Sequence, residues 1–182
     1  MLPVTPAEVE IDRQALTVLR RVLSQPAPSE GCALLLGRRL PAKADRHGPA
    51  PRLWRLERIW PCLNVWEPAG ERTHRFRLDP REQLQAQRWG RMRQLEVLGA
   101  AHSHPAGAPT PSTTDLALTP GPTLMVILGR AANRCPPESG EAGRGAGNLA
   151  EGPLGCWWLS DRLEGCGARA AAASPLPWRM VE

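Results

Sequence analysis

Ile11, Ala15, Leu16, Leu19, Val22 and Leu23 recur at helical spacing, and Asp12 offers a capping carboxylate in front of them. The pattern predicts a helix from about Asp12 to Ser24, closed by Pro26 and Pro28. The period then changes. Gly31-Cys32-Ala33-Leu34-Leu35-Leu36-Gly37 is a short apolar run between glycines, as a strand buried on both faces would be. Leu53 to Pro61 alternates imperfectly and predicts another strand, and Thr73 to Leu78 is a further candidate. Asp79-Pro80-Arg81-Glu82 combines an N-cap, a proline at the first helical position and an early Glu, which predicts a helix to about Gln94. Leu95 to Ala101 reads as a strand leading into His102 and His104. A short helix is expected from Ser112 to Ala117, and strands at Thr123 to Leu128 and around Cys156 to Leu159. Helical and strand patterns are mixed rather than strictly alternating, which predicts an α/β sandwich, a sheet with flanking helices.

Between these elements the pattern is lost. Arg38 to Pro51 reads as an exposed loop, Arg130 to Pro153 as a mobile insertion rich in Gly, Pro, Glu and Ala, and the chain beyond Gly165 (residues 166–182) as a loosely held tail. At 182 residues the whole chain, 1–182, is expected to be one domain.

Charge and cysteine content narrow the function classes. The net charge is +5, yet the arginines are interleaved with Trp, Leu and Glu, and Lys43 is the only lysine. No basic arm of the kind that tracks nucleic acid stands out, so a nucleic-acid partner is not expected. Five cysteines, an odd number with no C-x-x-C spacing, argue against a disulfide framework and for reduced thiols. With no secretory signal at Met1-Leu2-Pro3-Val4 and no apolar stretch near ~20 residues, the expected setting is cytoplasmic, without a membrane partner.

The chemistry concentrates in Ala101-His102-Ser103-His104-Pro105 and Pro111-Ser112-Thr113-Thr114-Asp115. Histidines one residue apart on an extended segment project from the same face. Asp115 can return a carboxylate to that face if Gly107, Pro109 and Pro111 turn the chain back. Two imidazoles and one carboxylate, with a fourth position left for water, is the ligand count of a catalytic zinc site. Such a site needs a proton carrier, for which Glu30 at the mouth of the apolar strand is the candidate, and Ser112 could donate to an oxyanion. Ser112 and Asp115 equally read as the two ends of a helix capping box, and the readings are compatible. Cys32 reads as a small buried hydrophobe, and His47 and His74 as surface residues.

An upstream Glu, then H-S-H-P, then P-S-x-x-D resembles the signature of the JAMM (MPN-plus) metalloproteases. Pro28-Ser29-Glu30-Gly31-Cys32, Cys62-Leu63-Asn64 and Phe76-Arg77-Leu78-Asp79-Pro80 resemble their compact bacterial branch, and the likeness extends from the first helix to about Leu128. The resemblance implies a cytidine-deaminase-like α/β sandwich with a mixed β-sheet and flanking helices. It implies one Zn²⁺ per chain held by His102, His104 and Asp115, with Glu30 as general acid/base and Ser112 as transition-state donor. Ser103 then faces away from the metal. The implied substrate is a ubiquitin-like (β-grasp) sulfur carrier protein or its amino-acid adduct, cleaved after the carrier's C-terminus. The alternative is a non-catalytic MPN-type binding module. Such modules usually lack one or more motif residues, and this chain lacks none.

Overall fold

Alternation within the apolar run 32–37 divides it between two faces of a sheet. Ala33 and Leu35 join one buried cluster with Leu19 and Leu23, whereas Leu34 and Leu36 join another with Ala86 and Leu95. Each fully buried Leu or Ile of these clusters contributes about 1.5–3 kcal/mol. The computed structural model describes residues 5–40, 52–119, 121–130, 149–163 and 169–182.

The elements in chain order are β1 (Glu8–Asp12), α1 (Arg13–Ser24), β2 (Cys32–Arg39), β3 (Leu53–Cys62), α2 (Pro80–Arg91), β4 (Glu96–His104), α3 (Thr113–Leu118), β5 (Thr123–Gly129), β6 (Leu154–Leu163), β7 (Arg169–Pro175) and β8 (Trp178–Val181). The strands form one mixed eight-stranded sheet in the order β7-β6-β5-β4-β2-β3-β1-β8, parallel at β4/β5, β1/β3 and β1/β8 and antiparallel elsewhere. Helix α1 packs across one face, and α2 and α3 pack with the clusters of the other. The result is the mixed α/β sandwich expected from the pattern. No helix among the described residues is long and apolar enough to cross a membrane.

The expected helix starts are realised by their caps: Asp12 accepts from the backbone of Gln14 and Ala15, and Asp79 from that of Arg81. Helix α2 stops at Arg91 rather than Gln94, and Gln94 adopts φ +57°, which no helix continues. Strand β4 runs through both histidines. Where β4 pairs with β2, Leu35 faces Gly99 and Leu36 faces Val97, so Leu98 is the extra residue of a β-bulge.

Three expectations are corrected. Thr73 to Leu78 forms no strand: Ala69–Thr73 is a 3₁₀ turn, and the Asn64 side chain takes up the Arg75 carbonyl and the Arg77 N–H in place of a ladder. The loop expected from Arg38 starts later, because Arg38 and Arg39 still pair with Arg55 and Trp54 in β2/β3. The C-terminal tail is not loose. Arg169–Pro175 pairs with β6 and Trp178–Val181 with β1, and Leu176 and Trp178 pack on the main core. Strand β1 itself was hidden because Ile11 completes the helical spacing of α1. Residues 41–51, His47 among them, and 131–148 of the expected insertion lie outside the described residues.

Strand β1 brings Glu10 opposite Arg55 on one side and Arg179 on the other. Its buried carboxylate accepts from Arg55 at 2.8 and 3.0 Å and from Arg179 at 2.5 Å. The Arg179 hydrogen bond outweighs the effect of burial and, with Arg55, holds the Glu10 carboxyl below its ordinary value. A depressed folded-state value stabilises above the unfolded carboxyl value near ~4.3 and ceases to as pH falls through the folded one. Glu10→Gln is therefore expected to lower the melting temperature at pH 7 and to flatten its decline below about pH 4.5. Thermal melts across pH 3–8 read both effects, and an unchanged acid limb would refute the assignment.

Candidate metal centre

The alternation of β4 carries His102 and His104 to the face away from the α1 core, while Ser103 points to the other side. Ser103 is fully buried, and its Oγ accepts from the Gly31 N–H at 2.9 Å while its own N–H donates to the Gly31 carbonyl at 3.0 Å. The strand that carries the two histidines therefore also holds the residue beside Glu30. Gly31 is required there, because a Cβ would lie 2.6 Å from the Leu23 carbonyl oxygen at the end of α1.

Asp115 arrives from the first turn of α3. Ser112 caps that helix: its Oγ accepts from the Asp115 N–H at 3.1 Å, and Asp115 Oδ2 accepts at 2.7 Å from both the Ser112 N–H and its hydroxyl. The capping box and the ligand reading thus hold together, since the cap fixes the carboxylate. The loop leading to α3 is held from β6, where Trp157 Nε1 donates to the Pro109 carbonyl at 2.8 Å. Gly155 permits the approach, because a Cβ there would lie 2.2 Å from the Pro109 oxygen and 2.6 Å from Trp157 Nε1.

The three side chains converge. His102 Nε2 and His104 Nε2 are 2.9 Å apart, and Asp115 Oδ1 and Oδ2 lie 3.4 and 3.5 Å from them, respectively. Four ligands around a zinc with bonds of ~2.0–2.1 Å stand about 3.3 Å from one another, so these residues fit a single small cation. Among the described residues, His102, His104 and Asp115 form the one His/Cys/Asp/Glu group so arranged. The tautomer fits too. His104 Nδ1 lies 2.9 Å from the Ala108 carbonyl, which can only accept, so Nδ1 carries the hydrogen and Nε2 presents its lone pair inward. His102 is fully buried, stacked under Phe76 with ring centroids 4.3 Å apart.

Glu30 completes the cluster, with Oε1 at 3.9 Å from His104 Nε2. Its backbone is fixed on both sides: the N–H donates to the Arg72 carbonyl, and the carbonyl accepts from Asn64 Nδ2 at 3.2 Å. Asn64 also accepts from the backbone N–H groups of Trp66 and Arg77, so one side chain ties Glu30 to the segment bearing Phe76.

Burial pushes the Glu30 carboxyl up to about 7, against the pull of His104 and with the repulsion of Asp115 added. Burial would raise Asp115 as well, but the two histidine rings beside it hold it far below the usual carboxylate range. Burial holds His102 below its ordinary value, so that ring stays neutral as a ligand must. For His104 burial acts in the same direction but is outweighed by Asp115, the Ala108 carbonyl and Glu30, and its value is raised.

All five residues singled out in the sequence thus meet in one place. Cys32 does not join them: its Sγ lies against the Cys62 carbonyl, and burial pushes its thiol up to about 12. His74 is exposed and contacts Thr73. Asn64, Phe76 and Trp157 escaped sequence reasoning as contributors. Asn64 and Phe76 lie within segments that carried the family likeness, and that was the signal available.

Comparison with known proteins now bears on this geometry. The model of a family described as prokaryotic homologues of the JAB domain matches residues 12–139, a span holding Glu30, His102, His104, Ser112 and Asp115. The solution structure of a protein from Desulfitobacterium hafniense is 23% identical and covers 96% of this chain and 93% of its own, with a TM-score of 0.63, a likeness of fold. The crystal structure of a JAB1/MPN-domain protein from Archaeoglobus fulgidus is 16% identical over 93% of this chain and 97% of its own, with a TM-score of 0.40. No curated protein matches the sequence. With the family match running from the start of α1 past β5, the chain belongs to the prokaryotic branch of the JAB (JAMM/MPN) domain family.

Proposed function

We propose that this protein is a zinc-dependent metallopeptidase that hydrolyses the amide bond following the C-terminus of a ubiquitin-like sulfur carrier, releasing the attached residue. The observation that carries the reading is a buried carboxyl, Glu30, 3.9 Å from the ligand set and raised to about 7. A general base works best near the operating pH, and burial has tuned Glu30 to that range. An ion-binding module has no use for a carboxyl that is desolvated and left beside the ligands.

His102, His104 and Asp115 would hold the zinc. When bound, zinc supplies Lewis acidity, polarising a carbonyl and acidifying a water molecule. Glu30 accepts the proton from the attacking water and returns it to the nitrogen of the leaving amine. Ser112 anchors Asp115 in the resting arrangement. Its hydroxyl turns from Asp115 Oδ2 to the substrate oxygen as negative charge builds there. Phe76, stacked on His102, keeps bulk water from that ring.

The test is hydrolysis of a carrier–amino-acid adduct by the full chain carrying one zinc per molecule, followed by mass spectrometry. The expected result is loss of the mass of the released residue, abolished by a chelator and restored by zinc. Protein that holds stoichiometric zinc but leaves amide bonds intact overturns the proposal in favour of a binding module.

A further inference from the structure

A cleft of about 550 Å³ opens beside the ligand set, and Asp115 and Phe76, both in contact with His102, belong to its wall. Among the described residues its charged lining consists of Arg39, Arg75, Arg77 and Asp115. The Asp115 carboxylate is already engaged by Ser112 and the two histidines. Arg39 and Arg75 are paired with Glu96 and Glu71 at 3.3 and 3.0 Å. Arg77 is different. It is exposed, has no ion-pair partner among the described residues, and lies over the Trp66 ring at 4.8 Å. The surrounding segment adds to the field, with seven arginines between residues 72 and 93 against Asp79 and Glu82.

The geometry points to a subsite for an acidic polypeptide segment adjoining the scissile bond, with Arg77 as the specificity-determining residue. The inference rests on the hydrolase reading above and adds the charge of its substrate. A cleft that is cationic, with no free carboxylate among its described lining residues, concentrates anionic ligands and suppresses cationic ones. The uncharged lining favours a peptide among anions. Gln83, Gln87 and Thr114 offer amide and hydroxyl groups suited to backbone hydrogen bonds, and Met125 contributes apolar surface. Nucleic acid would need open aromatic faces for its bases. The Trp66 ring is instead occupied by the guanidinium groups of Arg75 and Arg77, at 5.3 and 4.8 Å.

The experiment measures fluorescence anisotropy of three labelled hexapeptides of equal length on the full, zinc-loaded chain carrying Glu30→Gln, so that none is consumed. One peptide carries Asp and Glu, one Asn and Gln, and one Lys and Arg. The acidic peptide is expected to bind about tenfold tighter than the neutral one, with the basic peptide weakest and the spread shrinking as salt rises. Arg77→Glu should reverse the order and Arg77→Gln should remove the preference, with thermal melts confirming that each variant is folded. Equal binding of the three peptides, an order unchanged in both Arg77 variants, or tighter binding of an oligothymidylate overturns the inference. The two readings fail separately. Charge-dependent binding without hydrolysis sinks the peptidase and leaves the subsite, whereas hydrolysis indifferent to peptide charge does the reverse.

Discussion

Glu30→Gln is expected to bind zinc as the natural chain does and to lose about 10²–10⁴-fold in kcat, the range attributed to a positioned general acid–base. The amide is nearly isosteric with the carboxyl, so the backbone bonds to Arg72 and Asn64 that fix this position survive. It cannot accept and return a proton, and that is the whole of the change. Glu30 is not one of the three converging candidate ligands, so metal content should match that of the natural chain. On the peptidase reading, the natural chain should also show an acid limb in kcat/KM near neutrality. Glu30 must be ionised to accept the proton, and burial has raised it to about 7, so activity rises with pH through that region and is lost below it. Steady-state kinetics across pH 5–9 with parallel elemental analysis checks both points. Full activity in Glu30→Gln would sink the mechanism.

Asp115→Ala removes two things at once. The first is a candidate ligand, and zinc affinity should fall by more than the ~10–100-fold typical of losing a group that only orients a ligand. The second is the reciprocal cap of α3, whose loss costs about 1 kcal/mol. Asp115→Asn separates them. The amide oxygen still accepts from the Ser112 N–H, so the melting temperature should stay close to that of the natural chain without metal, while zinc binding still weakens. Elemental analysis and thermal melts of the two variants, each with and without zinc, give the comparison. Zinc content unchanged in Asp115→Ala would remove this residue from the ligand set.

Much of this arrangement was legible because its signals are local. Caps at Asp12, Asp79 and Ser112 sit within three residues of what they cap, and the histidine pair needs only strand alternation to share a face. What stayed hidden depends on partners far along the chain. The Ala-rich segment that becomes β7 has no alternation of its own and is ordered by its ladder with β6. Strand β8 acquires its place from β1, and Glu10 reveals its role only once Arg55 and Arg179 stand on either side. Asn64 acts through four backbone groups spread over 30–77, which no spacing rule could join. Trp157 is separated by 48 residues from the carbonyl it holds.

The bulge at Leu98 sets the phase of β4. Leu98 and Ala101 both belong to the core beneath α1, three residues apart, which strict alternation forbids. Val97 packs on the opposite side, the side to which His102 and His104 also point. The first half of the strand is thus written in a packing code and the second half in a ligand code, one residue out of step, and the extra residue reconciles them. A strand of the same sequence paired without it would have to choose. Either the histidines turn into the α1 core and Ser103 into the cleft, or Leu98 leaves the core. One pairing register therefore sets both the packing of Leu98 and the side on which His102 and His104 emerge.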